Sequence, residues 1–298
     1  MKILINRKPI KGSWGGGNNF VHAFVNCMSE SGHHVVHELQ PEIDLIFIQD
    51  PRYDECGISI NEAASYKNSN PSCKIVQRIN ECDARKGTEH MDSLLQQCSS
   101  INDYTIFVSR WMRDYFLEKG WACPKTCVIR NGVNLGIFSP NPINNHTRIS
   151  IVAHHWSNNY LKGFDCYEFL DYMSLKYDHV NFTYIGRHRD SFENTNVVKP
   201  CWGKDLAKNL GGHTVYISGT RNDPGPNHIL EAIACGLPTY VHIEGGGAVE
   251  FAGTDHVFRN LIDLEGLILG GKFEKNTTDV NGWEHCLSQY QELFARIT

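Results

Sequence analysis

Short apolar runs separated by helix-spaced stretches, in a pattern that breaks once and then restarts, restrict this chain more than any other feature. The runs 2–6 "KILIN", 33–39 "HHVVHEL", 44–50 "DLIFIQD", 73–80 "CKIVQRIN", 103–109 "DYTIFVS" and 125–133 "KTCVIRNGV" read as strands. Helical spacing fills 20–32 and 110–120, each closing on a glycine, Gly32 and Gly120. The glycine-rich 11–19 "KGSWGGGNN" reads as a loop. Strands that alternate with helices need crossover connections, and so a parallel α/β sheet. The pattern breaks at 139–148 "SPNPINNHTR", the best linker in the chain. It restarts with strands at 149–155, 180–187, 213–219 and 238–243 and helices at 162–177, 203–212 and 228–236. At 298 residues the chain suits two domains. The expected division is an α/β domain over 1–140 and a second over 149–281. A helix over 282–298 packs back on the first. Ligands of open parallel sheets sit beyond the carboxyl ends of the strands, so a central cleft between the halves is the expected site.

Composition narrows the function. A net charge of −5 argues against a general nucleic-acid binder. No apolar run approaches the ~20 residues that span a bilayer. The N-terminal "MKILIN" lacks the features of a secretory signal, so a cytoplasmic location is expected and the sequons at Asn145, Asn181 and Asn276 are idle. Eleven scattered cysteines include one C-x3-C, Cys123 and Cys127, without the second half that a zinc site needs.

The stretch 223–238, "DPGPNHILEAIACGLP", carries most of the chemistry. Pro224 and Pro226 stiffen a turn after the strand at 213–219, and Gly225 lets backbone approach a ligand. The amides of Asn227, His228 and Ile229 then lie at a helix N-terminus, where an anion or hydroxyl can be held. Asp223 precedes the helix and Glu231 is expected within about its first turn. Two carboxylates flanking free amides suit a sugar with a phosphate. The alternative is an Asp and a Glu that only cap a helix.

This stretch resembles the C-terminal signature of GT-B-fold retaining glycosyltransferases, especially glycosyltransferase family 4, which carries Glu-x7-Glu followed by "EAMACG-P". Here Asp223 stands for the first Glu and Glu231 for the second. The family's other stretches have counterparts in the same order. They are 14–20 "WGGGNNF", 128–140 "VIRNGVNLGIFSP", 154–165 "HHWSNNYLKGFD" and 245–253 "GGGAVEFAG".

The resemblance implies two Rossmann-like domains and transfer of a hexosyl unit from a nucleoside diphosphate sugar to an acceptor hydroxyl of a glycan or glycoconjugate. The anomeric configuration is retained, and the departing phosphate takes the acceptor proton. It assigns Glu231 to the nucleotide ribose, Asp223 and the amides of 227–229 to the donor sugar, and Lys162 to the diphosphate. The family's clasp Arg is absent, and His154, His155, Ser157 or Asn158 are its stand-ins; His154 and His155 also read as packing residues. Gly15, Gly16 and Gly17 let the first loop approach the diphosphate or the acceptor. Asn80 stands where the family has a His that touches the sugar. Asp83 and Arg85 lie toward the acceptor, or else that loop is held by local ion pairs. Arg187 and Trp202 frame the base, or Trp202 is core. No D-x-D occurs, so no metal or other cofactor is expected. Other readings are a nucleotide-sugar epimerase, a non-catalytic sugar-nucleotide binder or partner protein of the same fold, and a dinucleotide enzyme based on Gly15-x-Gly17 with Glu38. The last lacks the third glycine and the direct strand-to-glycine turn.

Overall fold

A computed structural model describes residues 1–12, 15–52, 57–122, 125–140, 148–189 and 191–298. Trp14, Cys123, the Asn145 sequon and residues 141–147 of the linker stretch lie outside them. The chain forms two compact units. The first holds Met1–Lys11, Gly17–Asn131 and Trp283–Thr298, and the second holds Gly12–Gly16 and Gly132–Gly282. The division at Asn131 falls ahead of the proline-rich stretch. Val133 N–H donates to Asn281 O at 3.0 Å, and Ile137 and Phe138 pack into the second unit's core.

In the first unit, β1 (Lys2–Ile5), β2 (His34–Val36), β3 (Leu45–Ile48), β4 (Lys74–Ile79), β5 (Tyr104–Phe107) and β6 (Thr126–Val128) form a sheet in the order β2-β1-β3-β4-β5-β6. Its pairings among the described residues are parallel. The β3 residues Leu-Ile-Phe-Ile are all buried, as expected of a strand covered on both faces. The chain moves one way from β1 to β2 and the other way from β3 onward, which puts the sheet's switch point between β1 and β3. Asn6 clips the two strand ends there. Its Nδ2 donates to Asp50 O at 2.5 Å, and its Oδ1 accepts from Gln49 N at 2.8 Å.

Helix α1 spans Gly15–Glu30, so the three glycines open a helix rather than lie in a loop. Glycine's poor helix propensity weighs least at a first turn, where the amides have no intrahelical partner in any case. The later helices of this unit are α2 (Ile60–Ser69), α3 (Asp83–Lys86), α4 (Met91–Ser99) and α5 (Arg110–Glu118). Strand periodicity did not locate α2, yet its start is spelled out. Ser59 and Glu62 close a reciprocal capping box.

The second unit repeats the plan. Strands β7 (Ile149–His155), β8 (Val180–Gly186), β9 (Asn196–Val198), β10 (Val215–Ser218), β11 (Thr239–His242) and β12 (Val257–Phe258) pair in parallel in the order β12-β11-β10-β7-β8-β9. Its helices are α6 (Phe164–Lys176), α7 (Gly203–Leu210), α8 (Asn227–Ala234), α9 (Gly247–Ala252) and α10 (Leu261–Gly270). The switch point lies between β7 and β10. Burial pushes the Cys166 thiol up to about 12 and that of Cys73 in the first unit up to about 11, which marks both as packing residues.

Helix α11 (Trp283–Ile297) belongs to the first unit. Tyr290 and Phe294 close an aromatic cluster with Phe20, Phe24 and Phe47, in which the Phe24 and Phe47 rings stack at 4.7 Å. Beneath it lies Arg78, 2 % exposed. Its guanidinium donates to Asn131 Oδ1 at 2.6 Å, Tyr290 OH at 3.1 Å and Gln49 Oε1 at 3.3 Å, and lies 3.9 Å from the Phe20 ring centroid. Replacing Arg78 by Met strands these buried oxygens, each a loss of about 1–3 kcal/mol. The variant is expected to lose about 3–5 kcal/mol of stability in all, read from the denaturant midpoint.

Candidate functional site

In the second unit, three loops converge beyond the carboxyl ends of β7, β10 and β11. The first leaves β7 through Trp156 and Ser157 into a 3-10 turn, Tyr160–Lys162, capped by Asn159 Oδ1. It ends at Gly163, with φ +97°. The second runs from Gly219 to Pro226, and the third from Glu244 to Gly247. Gly163 lies so close to Gly219 that a Cβ built on it falls 2.2 Å from the Gly219 carbonyl carbon. Arg221 fastens the junction. Its amide donates to Leu161 O at 2.9 Å, and its guanidinium reaches Asp165 at 2.9 Å, Glu244 at 3.4 Å and the Gly219 carbonyl. The third loop zips onto the second, as Asp223 N donates to Gly245 O at 3.0 Å and Gly247 N to Asp223 O at 2.7 Å. A Cβ on Gly247 would lie 2.4 Å from Pro224 O.

These contacts bring Lys162 to Asp223. The ammonium meets Asp223 Oδ2 at 3.1 Å, with both side chains largely buried, and Thr220 Oγ1 approaches the same oxygen at 3.4 Å. Glu231 is the fifth residue of α8, not a first-turn residue, so the helix N-terminus acts on it weakly. Its Oε2 accepts from His154 Nε2 at 2.9 Å, and both residues are buried. The Ile229 amide is not free, because it donates to Pro226 O at 3.3 Å. His228 Nε2 engages Ser218 Oγ at 3.0 Å, so its ring anchors α8 to β10. Asn227 Nδ2 lies 3.5 Å from Gly16 O, and a Cβ on Gly16 would come within 3.0 Å of that amide.

His155 and Ser157, two of the stand-ins for a basic clasp, have other contacts. His155 is buried at 3 % exposure and its Nε2 contacts Tyr167 OH at 2.5 Å, which makes it part of an aromatic core. Ser157 Oγ accepts the Asn159 amide at 3.2 Å. Arg187 does not frame a base with Trp202 among the described contacts. Its guanidinium stacks on Trp156 at 4.0 Å, while Trp202 is 59 % exposed ahead of α7. Trp202 is therefore not core either. Sequence reasoning missed Arg221, Thr220 and Trp156 as site builders. Arg221 and Thr220 sit in "TRNDPGPN", directly between a strand end and the first carboxylate, and that position was the available signal.

Gly17, Asn80, Asp83 and Arg85 lie in the first unit. A Cβ on Gly17 would lie 3.7 Å from Asn80 Nδ2, so helix α1 passes close to the end of β4. Arg85 is buried within α3. Asp83 holds the start of α4. Its carboxylate accepts from Thr88 Oγ1 at 2.5 Å, Met91 N at 2.9 Å and Asp92 N at 3.1 Å. In the same unit, Asp50 pairs with Arg7 at 2.5 Å and Arg52 at 2.6 Å, and Arg52 reaches Glu81 at 3.3 Å. The described residues hold no group of three or more His, Cys, Asp or Glu placed to bind a metal, and none of their helices is long and apolar enough to cross a membrane.

No protein-family model and no curated protein matches the sequence. Solved structures do match. HepE of Anabaena, in complex with UDP and glucose, superposes with a TM-score of 0.76 at 12% identity over 99% of this chain and 100% of that one. Sucrose-phosphate synthase of Thermosynechococcus elongatus gives 0.73 at 13% identity over 99% and 98%. The pneumococcal O-GlcNAc transferase GtfA, with UDP and GlcNAc, gives 0.66 at 10% identity over 94% and 60%. The fold is GT-B. The GT-B plan of two Rossmann-like α/β units accounts for both six-stranded parallel sheets and for polar side chains gathered at their carboxyl edges.

Two outcomes test this geometry. Gly163→Ala adds a strained φ to overpacking against Gly219 and is expected to lose about 2–4 kcal/mol. Gly32→Ala, with φ +81° and nothing within 4 Å, is expected to lose only about 1 kcal/mol by the same thermal unfolding assay. For Asp83, burial pushes the carboxyl up, but hydrogen bonds from Thr88, Asp92 and Met91 outweigh it and hold the pKa below the usual 3.8. A lowered folded value stabilises the protein above that pH and is lost as pH falls through the folded value. Asp83→Asn is thus expected to be less stable than wild type at neutral pH. The gap between their melting temperatures should close as the pH drops below 3.8.

Proposed function

We propose that the chain is a retaining, family-4-like glycosyltransferase that moves a hexosyl unit from a nucleoside diphosphate sugar to an acceptor hydroxyl. The observation that carries this reading is the pair of buried carboxylates, Asp223 and Glu231, set around the start of α8 with the Lys162 ammonium on the first of them. A carboxylate with a free lone pair accepts from vicinal hydroxyls, and an ammonium in a partly dry site attracts phosphate oxygens. One such set at the switch point of an open parallel sheet suits a ligand that is part sugar and part diphosphate. HepE and GtfA were solved in complex with UDP, and HepE also with UDP-glucose, which supports the same ligand class here.

In this proposal the ribose diol binds Glu231, and the diphosphate takes Lys162 over from Asp223. The released Asp223 carboxylate then orients the sugar hydroxyls. Charge that develops on the departing diphosphate is met by the ammonium, which does the work a metal does elsewhere, so no metal is required. The departing phosphate oxygen accepts the acceptor's proton as the new bond forms on the same face of the sugar. Asn80 is assigned to the donor sugar, and the acceptor is assigned to the first unit.

A thermal-shift screen of UDP, GDP, ADP and their common sugars tests this on wild type and Glu231→Ala. One nucleotide is expected to raise the wild-type melting temperature. Glu231→Ala should weaken its binding by about 10- to 100-fold, the cost of losing hydrogen bonds to a charged acceptor. A folded protein that responds to none of them removes the transferase reading. With the matching sugar nucleotide, Lys162→Met is expected to lower kcat by at least about 100-fold in EDTA-treated buffer.

A further inference from the structure

Next to Glu231 stands a histidine that the carboxylate pair does not by itself explain. His154 is the second-last residue of β7, and its position is fixed from several sides. Tyr216 OH accepts from His154 N at 3.1 Å and donates to His154 O at 3.3 Å. The Tyr216 and His228 rings meet its ring edgewise, at 5.5 and 6.0 Å between centroids. Its Nε2 lies 2.9 Å from Glu231 Oε2. Its Nδ1 is buried and has no hydrogen-bond partner among the described residues.

That orphaned nitrogen selects one chemical form of the ring. An imidazolium carries two N–H donors, and here the second would be buried without an acceptor. The neutral tautomer with its proton on Nδ1 would bury an unpaired donor and turn the Nε2 lone pair toward a carboxylate. The neutral tautomer with its proton on Nε2 satisfies the carboxylate and leaves only a bare acceptor buried, which is the least costly of the three. The same contacts answer the sequence-level alternative that His154 substitutes for a phosphate-binding Arg. One nitrogen is spent on Glu231 and the other has no accessible surface.

We infer that His154 is a positioning residue for sugar recognition: as a neutral Nε2–H donor it clamps Oε2 of Glu231 and presents Oε1 to a ribose diol. This rests on the proposed nucleoside diphosphate site. An imidazolium in this place would neutralise Glu231 and weaken the carboxylate as an acceptor for the diol. A neutral single donor fixes the plane of the carboxylate and leaves its charge for the ligand. Oε1 makes no hydrogen bond to any described residue, and the Glu231 side chain is 11% exposed. The open acceptor therefore belongs to a group that is otherwise nearly buried.

The inference predicts a discrimination, not merely an affinity. The test compares the dissociation constants of the ribonucleoside diphosphate and its 2′-deoxy and 3′-deoxy analogues, by calorimetry. Wild type is expected to favour the ribonucleotide by about tenfold or more, one hydrogen bond to a charged acceptor. His154→Phe keeps the ring and loses the donor, so the ratio should fall toward unity. His154→Gln places an amide N–H near Nε2 and should restore part of it.

A ratio unchanged in His154→Phe, or equal weakening of all three ligands, overturns the inference by reducing His154 to packing. Wild-type discrimination that survives in Glu231→Ala overturns the ribose assignment of Glu231, and the inference with it. A wild type that binds none of the three overturns both readings at once. Nitrogen-15 correlation spectra of the folded wild type give a check without mutation. The Nε2-protonated tautomer supports the inference, and an Nδ1-protonated ring or an imidazolium at neutral pH overturns it.

Discussion

The contact between Gly163 and Gly219 governs the strand edge of the second unit. Two peptide segments approach until neither has room for a side chain, and everything polar at that edge depends on the distance they set. Lys162 precedes one glycine and Asp223 follows the other by four residues, so the ion pair between them is a product of backbone packing. Arg221 holds the junction with its amide as well as its guanidinium. The Asp223 side chain is aimed by main-chain bonds to Gly245 and Gly247. Reactive side chains thus ride on a rigid mesh of main-chain contacts, the arrangement that holds a binding site to small tolerances.

The first unit meets a different constraint with a different device. Arg78 is buried among neutral oxygens and an aromatic face, without a carboxylate partner among the described residues. A delocalised guanidinium tolerates this better than an ammonium would, because its planar fork can be shared among several acceptors. The neutral partners come from the residue after β3 (Gln49), from the end of the unit's continuous segment (Asn131) and from α11 (Tyr290). Four-way attachment explains how a guanidinium is held in the middle of a buried sheet.

The alternation of strands and helices was plain in the sequence because parallel strands buried on both faces are written as unbroken apolar runs, as in "LIFI" of β3. Lys162 and Asp223 stood out because each lies between a strand end and a helix start, and Glu231 because it follows Asp223 by eight residues in the stretch that resembles the family signature. Their partners were not. His154 lies 77 positions from Glu231, and no local pattern announces a pair that only the β7–β10 neighbourhood creates. Trp156 and Trp202 flank the same region of sequence order, and only the fold decides which of them meets Arg187. The short edge strands β9 and β12 carry too few residues for periodicity to register. The body of helix α1 was legible from residue 20 onward, but its start hid behind glycines that look like a loop and serve as a first turn.

The first unit is discontinuous, and this bears on how the chain is made. Its aromatic cluster needs Tyr290 and Phe294, and Arg78 needs the Tyr290 hydroxyl. Synthesis delivers those residues after every part of the second unit. During translation the segments through Asn131 must therefore wait with Phe20, Phe24 and Phe47 uncovered, while Gly132–Gly282 already has the strands of its own sheet. The unit that begins first is the one that finishes last. Its half-built apolar face is the surface that the nascent chain most needs to keep from other chains.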